Sequence, residues 1–276
     1  YTTENVVVTL VSSSPSVAVI DSSTVTIVNG NYYNQGARWS PGIVGTAQIQ
    51  ASDARAAQCT YSTGTQNVSV ITPSLNIYSA PGALGLGQYQ DYAYVQTSDY
   101  QAANLAVTFT HTGATRAGTF TNLTNTAITG LTIPQGQYYT YFRMAGLARG
   151  TDTLTASVTS PVHNPSTIYT VVDSGRVDPI SGWPPVSILA GDSVLVTMYA
   201  RDPNQGTRNV VAATSFTLAP NANIEFHLAN ATVTTVTIPA DAQYVQFYLV
   251  GKTAGTGSVT ITSSTYRSYT TTVTVN

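Results

Sequence analysis

Apolar and polar residues alternate with a period of two over much of this chain. Phe142 and Met144 alternate with Tyr141 and Arg143, and Val245, Phe247 and Leu249 alternate with Gln246 and Tyr248. Successive side chains of an extended backbone point to opposite faces, so each stretch predicts a strand with one buried face. A further strand is predicted after each Gly-Thr pair, with Leu154 and Ala156 inward after Gly150-Thr151, and Val259 and Ile261 inward after Gly255-Thr256. Thr fills many outward positions, where a β-branched side chain favours extended backbone and keeps the surface wet. No stretch holds the 3.6-residue period of an amphipathic helix, and the expected fold class is all-β.

The same pattern occurs three times. Residues 131–157 read LTIPQGQYYTYFRMAGLARGTDTLTAS, residues 236–263 read VTIPADAQYVQFYLVGKTAGTGSVTITS, and residues 25–52 read VTIVNGNYYNQGARWSPGIVGTAQIQAS. Gly45-Thr46, Gly150-Thr151 and Gly255-Thr256 recur about 105 residues apart. That period is too long for a solenoid coil and suits a complete sandwich of roughly 100 residues. The organisation expected is a tandem array of β-sandwich domains over residues 1–72, 73–173 and 174–276. Joints as short as Thr72-Pro73-Ser74 and Asp173-Ser174-Gly175-Arg176 leave neighbouring domains little freedom, which predicts an extended, fairly stiff tandem.

The first copy is incomplete. Leu75 to Asn104 and Val177 to Asn209 supply two early strands to the later copies, including Ala93-Tyr94-Val95 and Val194-Leu195-Val196, whereas residues 1–24 have room only for Val6-Val7-Val8-Thr9-Leu10 and its connection. A sandwich without two strands exposes inward side chains at roughly 1.5–3 kcal/mol each. It also leaves an unpaired sheet edge. Either the chain is part of a longer protein, or another chain supplies the strands.

The stretch Ser12-Ser13-Ser14-Pro15-Ser16-Val17-Ala18-Val19-Ile20, then Val25-Thr26-Ile27, Gly45-Thr46 and the Ile49 strand, resembles the bacterial immunoglobulin-like repeats of bacterial surface proteins. Thr132-Ile133-Pro134-Gln135-Gly136 and Thr237-Ile238-Pro239-Ala240 carry the same resemblance, and the invasin and intimin stalks are relatives of that family. The resemblance covers nearly all of the chain. It implies immunoglobulin-like sandwiches in an exported, modular protein whose repeats serve as spacers, adhesive surfaces or filament elements, and it implies no catalytic residue. The first copy departs from the pattern: Asn29-Gly30 replaces the Ile-Pro-like spacing, and Trp39 replaces a smaller inward residue and is expected in the core.

Composition narrows the role. Only 8% of the residues are charged, with 10 Lys+Arg against 12 Asp+Glu, and Lys252 is the one lysine. Nucleic-acid binding through phosphate neutralisation needs clustered cations and is excluded on that basis. No apolar run approaches the roughly 20 residues of a membrane-spanning helix. The start lacks a basic segment leading into an apolar one, as expected of an exported protein relieved of its signal peptide or of an internal fragment. Cys59 is the single cysteine, which leaves an intermolecular bridge or a small buried thiol, the second being the simpler.

Candidate chemistry is sparse. His111, His163 and His227 fall in separate contexts, and no Gly-x-Ser-x-Gly elbow follows a strand, so a hydrolase triad is not expected. Glu4 and Glu225 are the only glutamates and the ten aspartates favour turns, which does not suit paired-carboxylate glycoside hydrolysis. Glu225 and His227 share a strand face and offer two metal ligands without an evident third. Asp202-Pro203-Asn204-Gln205-Gly206 and Asp99 resemble oxygen-rich turns, where an Asp capping its own turn explains the residues better than calcium. No cofactor and no metal is expected. Asn67-Val68-Ser69, Asn122-Leu123-Thr124 and Asn230-Ala231-Thr232 fit the N-glycosylation pattern, which arises often by chance in a chain this rich in Ser and Thr.

The 18 tyrosines cluster at Tyr89, Tyr92 and Tyr94 and at Tyr138, Tyr139 and Tyr141. With Phe142 and Met144 inward, Tyr139 and Tyr141 face out, and together with Tyr92 and Tyr94 they form the candidate surface contact, whether for a sugar ring or a protein. The plainer reading is strand decoration by a good β former. The function expected is a non-catalytic structural or adhesive segment of a bacterial extracellular or cell-surface protein. Its sharper form is a fibre subunit whose residues 1–72 are completed by strands from a neighbouring copy, or which abuts further repeats. The alternatives are a carbohydrate-binding or spacer module of a secreted hydrolase, and a virion-surface decoration.

Overall fold

The computed structural model describes residues 1–53, 61–113, 116–179 and 187–276, and every regular element in them is a β-strand. No helix among the described residues is long and apolar enough to cross a membrane. Cys59 lies outside the described residues. The chain divides into two compact units, Tyr1–Pro73 and Ser74–Asn276.

The first unit contains β1 (Val6–Ser12), β2 (Ala18–Ile20), β3 (Thr24–Ile27), β4 (Trp39–Pro41), β5 (Gly45–Asp53) and β6 (Gly64–Val70). Four of these form a sheet in the order β3-β1-β5-β6, and β2 pairs with β4 alone. Gly42 follows β4 at a place only glycine fits, since a Cβ there would sit 2.0 Å from the Ser16 carbonyl oxygen. The core is small: Val17, Ala18 and Ala47 are buried, with Val68 and Val70 packed against them. Trp39 is exposed, contrary to its expected core position. It sits opposite Ile20 in the two-stranded β2–β4 ribbon, and among the described residues no further strand extends that ribbon to bury an indole.

The second unit holds two sandwiches. The first of these comprises β7 (Leu75–Tyr78), β8 (Ala83–Gly85), β9 (Gln88–Thr97), β10 (Leu105–His111), β11 (Ala117–Thr121), β12 (Gly130–Ile133), β13 (Tyr139–Gly146), β14 (Gly150–Ser157) and β15 (Ser166–Asp173). One sheet runs β12-β10-β14-β15-β8; the facing sheet runs β11-β13-β9, with β7 also on β9. Alternate residues of both sheets, among them Leu84, Val95, Phe109, Phe142, Met144 and Leu154, interdigitate in one core. The other sandwich comprises β16 (Arg176–Pro179), β17 (Ser187–Ile188), β18 (Ser193–Arg201), β19 (Asn209–Val210), β20 (Thr214–Pro220), β21 (Ile224–Leu228), β22 (Ala231–Thr232), β23 (Thr235–Ile238), β24 (Tyr244–Gly251), β25 (Gly255–Ser263) and β26 (Tyr266–Val275). Its sheets run β17-β26-β25-β20-β23 and β16-β18-β24-β21-β22 around a second core that includes Phe216, Phe226 and Phe247.

The two sandwiches share their construction. In each, a short strand runs parallel to the closing strand, β8 on β15 and β17 on β26, while the preceding strand crosses to the other sheet, β7 on β9 and β16 on β18. The recurring Gly-Thr pairs also find their reason here. Gly150 and Gly255 open β14 and β25 with φ of +134° and +135°, a backbone that side-chain-bearing residues avoid.

β19 belongs by sequence to the last sandwich, yet it pairs with β9 of the one before, Asn209 opposite Tyr89 and Val210 opposite Gln88. One sheet therefore continues across the joint.

Candidate functional site

The joint between the two sandwiches is held by buried, hydrogen-bonded polar side chains. Gln88 at the start of β9 is fully buried, and all its polar atoms are used. Its Oε1 accepts from the Gly85 N–H at 2.8 Å, and its Nε2 donates to the Arg201 carbonyl at 3.0 Å and to the Tyr266 hydroxyl at 2.9 Å. Tyr266 inserts its ring against Phe216 of the last core, and burial pushes its phenol up to about 12. Gly175, in the connection between the sandwiches, donates to the Thr265 carbonyl and accepts from Arg267. Beside it Arg267 bonds Asp173, whose carboxyl is held below its usual range first by the Ser174 N–H and then by this guanidinium.

A second polar cluster lies next to the β9–β19 pairing. Opposite Arg143, β9 carries two residues, Asp91 and Tyr92, in a bulge that places Tyr92 at φ +59°. The bulge turns the Asp91 carboxylate onto Arg143, which donates from Nε at 2.7 Å and from an Nη at 3.0 Å. Arg143 also covers the Tyr89 ring at 3.7 Å, a cation–π contact, and the Tyr89 hydroxyl donates to Asp241 of the last sandwich at 2.9 Å. Burial, the largest single influence, would lower the Arg143 pKa, but the hydrogen bond and charge of Asp91 together with Tyr89 and Asp241 outweigh it and the net direction is up. Arg208 completes the set by donating to Asp202 and to Gln90.

The four tyrosines expected at the surface are brought together on the outer face of one sheet. Tyr141 lies opposite Tyr94, and Tyr94 opposite Tyr78. Ring centroids are 5.8 Å apart for Tyr94–Tyr141, 5.5 Å for Tyr92–Tyr141 and 5.2 Å for Tyr139–Tyr141, all near edge-to-face, and Tyr78 stacks on Tyr94 at 5.2 Å. Tyr138 and Tyr100 extend the string. The rings therefore pack chiefly on one another, and a hydrogen bond with Tyr139 raises the Tyr141 phenol. Tyr92 and Tyr141 are exposed, Tyr94 and Tyr139 half-buried.

The histidines have different neighbours. His111 Nδ1 meets buried Asp152 at 2.6 Å, and its Nε2 lies 3.4 Å from the Thr119 hydroxyl, a carboxylate–imidazole–hydroxyl line that sequence spacing conceals. Thr119 is buried and donates to the Ile128 carbonyl at 2.8 Å, so the hydroxyl is a hydrogen-bond donor inside the fold and presents no nucleophile to solvent. Glu225 and His227 do meet, at 2.8 Å, and Lys252 takes the other carboxylate oxygen at 3.2 Å. First His227 and then Lys252 lower the Glu225 pKa. Among the described residues no group of three or more His, Cys, Asp or Glu is placed to hold a metal. Asp202 caps its own turn, accepting from the Asn204 and Gly206 N–H groups.

In the first unit a cavity of about 400 Å³ opens on the inner face of the four-stranded sheet, lined by Tyr1, Val6, Val8, Ile27 and Ala51 among others.

No family model matches the chain, and no curated protein matches it. Among solved structures it is similar to domains 4–9 of the surface layer protein SbsC, at 15% identity and a TM-score of 0.32 over 97% of this chain and 38% of that one. It is also similar to a beta-glycosidase from Bacteroides vulgatus, at 11% identity and 0.31 over 75% and 25%, and to a beta-glucuronidase from Parabacteroides merdae, at 12% and 0.28 over 75% and 25%. The chain thus spans a quarter to two fifths of these proteins. At such TM-scores none of the superpositions establishes a common fold, and the fold is defined by the chain's own strand pairing.

Proposed function

We propose that the chain is a non-catalytic structural or adhesive segment of a bacterial extracellular or cell-surface protein, built from immunoglobulin-like sandwiches that act as a stiff spacer. The observation that carries the reading is the joint. A sheet continued from β9 into β19, and a buried glutamine bonded to both sandwiches, fix the relative placement of two domains that each have a complete core. A spacer needs that fixed placement; a flexible linker would serve a tethered catalytic domain as well. The low charge content suits close packing of neighbours, because self-repulsion is small. Micrographs of the native protein test the reading: surface projections, fibres or lattices are expected, and dispersed particles that hydrolyse a glycan would overturn it.

A carbohydrate-binding module is the second reading, favoured by the tyrosine string on β7, β9 and β13. A polysaccharide pull-down lost in Tyr139→Ala and Tyr141→Ala would support it; absence of binding to any polymer would remove it.

A further inference from the structure

The six strands of the first unit correspond one to one with the last six of the sandwich that follows. β3-β1-β5-β6 repeats the order β12-β10-β14-β15, and β2–β4 repeats the pairing β11–β13. The registers coincide: Leu10 faces Ala51 and Ser12 faces Ile49, as Phe109 faces Ala156 and His111 faces Leu154. In the last sandwich Leu218 faces Ile261 in the same place. Burial does not coincide. Phe109, Leu154, Ala156, Leu218 and Ile261 are all buried, whereas Leu10, Ile49 and Ala51 are only half-buried.

What covers these positions elsewhere is visible in the molecule. In the second unit they lie under Leu75, Leu84, Ala93 and Val95 from β7, β8 and β9, and under Val177, Ile188, Val196 and Met198 from β16, β17 and β18. The first unit has no counterpart of these three strands among the described residues. Among the described residues the edges they would occupy are open: β6 is the outer strand of its sheet, where β15 and β26 each carry a parallel strand, and β4 pairs with β2 and no other strand, where β13 and β24 each pair with a long antiparallel strand.

We propose that the first unit is an acceptor for a polypeptide segment with the strand pattern of residues 75–97, supplied from outside residues 1–276. A short arm adds parallel to β6, a longer arm adds antiparallel to β4, and alternate apolar residues of both arms fill the cavity over Val6, Val8 and Ala51 and cover half-buried Leu10 and Ile49. Main-chain hydrogen bonds supply the attachment, and the spacing of the apolar residues supplies selectivity. The acceptor follows from strand correspondence within the chain and does not depend on the extracellular role proposed above.

The test fuses a copy of residues 74–99 directly ahead of Tyr1 in the full chain and follows amide hydrogen exchange. Exchange across β6 is expected to slow at least tenfold, with β15 unchanged as the internal reference. The same fusion carrying Leu84→Asp and Val95→Asp in the donor copy only should lose that protection. Unchanged exchange across β6 in the fusion overturns the proposal. So does a dimer of the unfused chain that already protects β6, because a second copy would then be the occupant.

Discussion

At the scale of single residues, the joint depends on a few side chains whose every polar atom is used. Replacing Gln88 by Ala leaves the Gly85 N–H, the Arg201 carbonyl and the Tyr266 hydroxyl short of a partner, at about 1–3 kcal/mol for each group that water cannot reach. Gln88→Ala is therefore expected to lower the denaturation midpoint of the second unit clearly, and an unchanged midpoint would show the network to be dispensable. Tyr266 gives a pH signature. Its phenol ionises near 10 when unfolded and at about 12 when folded, because burial disfavours the charged form. Stability from this group is whole below pH 10 and is lost as the pH rises toward 12, by up to about 2–3 kcal/mol. Denaturation curves at pH 9 and pH 11.5 should separate more for the native chain than for Tyr266→Phe; equal separations would contradict the assignment. Period-two reading placed Arg143 on the outward side of β13, as found, but could not reveal that Tyr89 and Asp91 bury it there. Alternation tells which face a side chain takes and nothing of what lies over that face.

At the scale of elements, the same strand has different value in different copies. Phe142 on β13 is fully buried against Phe109, at a centroid distance of 4.9 Å, and Phe142→Ala is expected to cost about 3–5 kcal/mol. Leu10 on β1 holds the register position of Phe109 but is only half-buried, so Leu10→Ala should cost well under the 2–5 kcal/mol of a buried leucine. Urea titrations of the two variants check this, and comparable losses would mean that the first unit is better packed than its open sheet implies. The all-β class and the inward residues of β13, β14, β24 and β25 were legible because alternation is local. The Gly-Thr corners were legible as a recurrence, with their positive φ as the cause. The β9–β19 pairing was not legible: it joins residues about 120 apart, and Asn209-Val210 is too short to carry a period. Trp39 misled for a related reason, since its inward assignment assumed a facing sheet that β2 and β4 alone do not provide.

At the scale of the whole molecule, the second unit is one body with two cores. Each core has its own phenylalanines, while the joint between them is polar, hydrogen-bonded and buried. Apolar cores give each sandwich its stability; directional bonds at the joint give the pair a fixed geometry. The two sandwiches are expected to hold a single relative geometry in solution. Spin labels at Thr108 and Thr235, exposed positions on the two sandwiches, in a full chain with Cys59→Ser, measure it directly by pulsed dipolar spectroscopy. One narrow distance distribution that broadens in Gln88→Ala is the result expected, and a broad distribution in the unaltered joint would contradict the account.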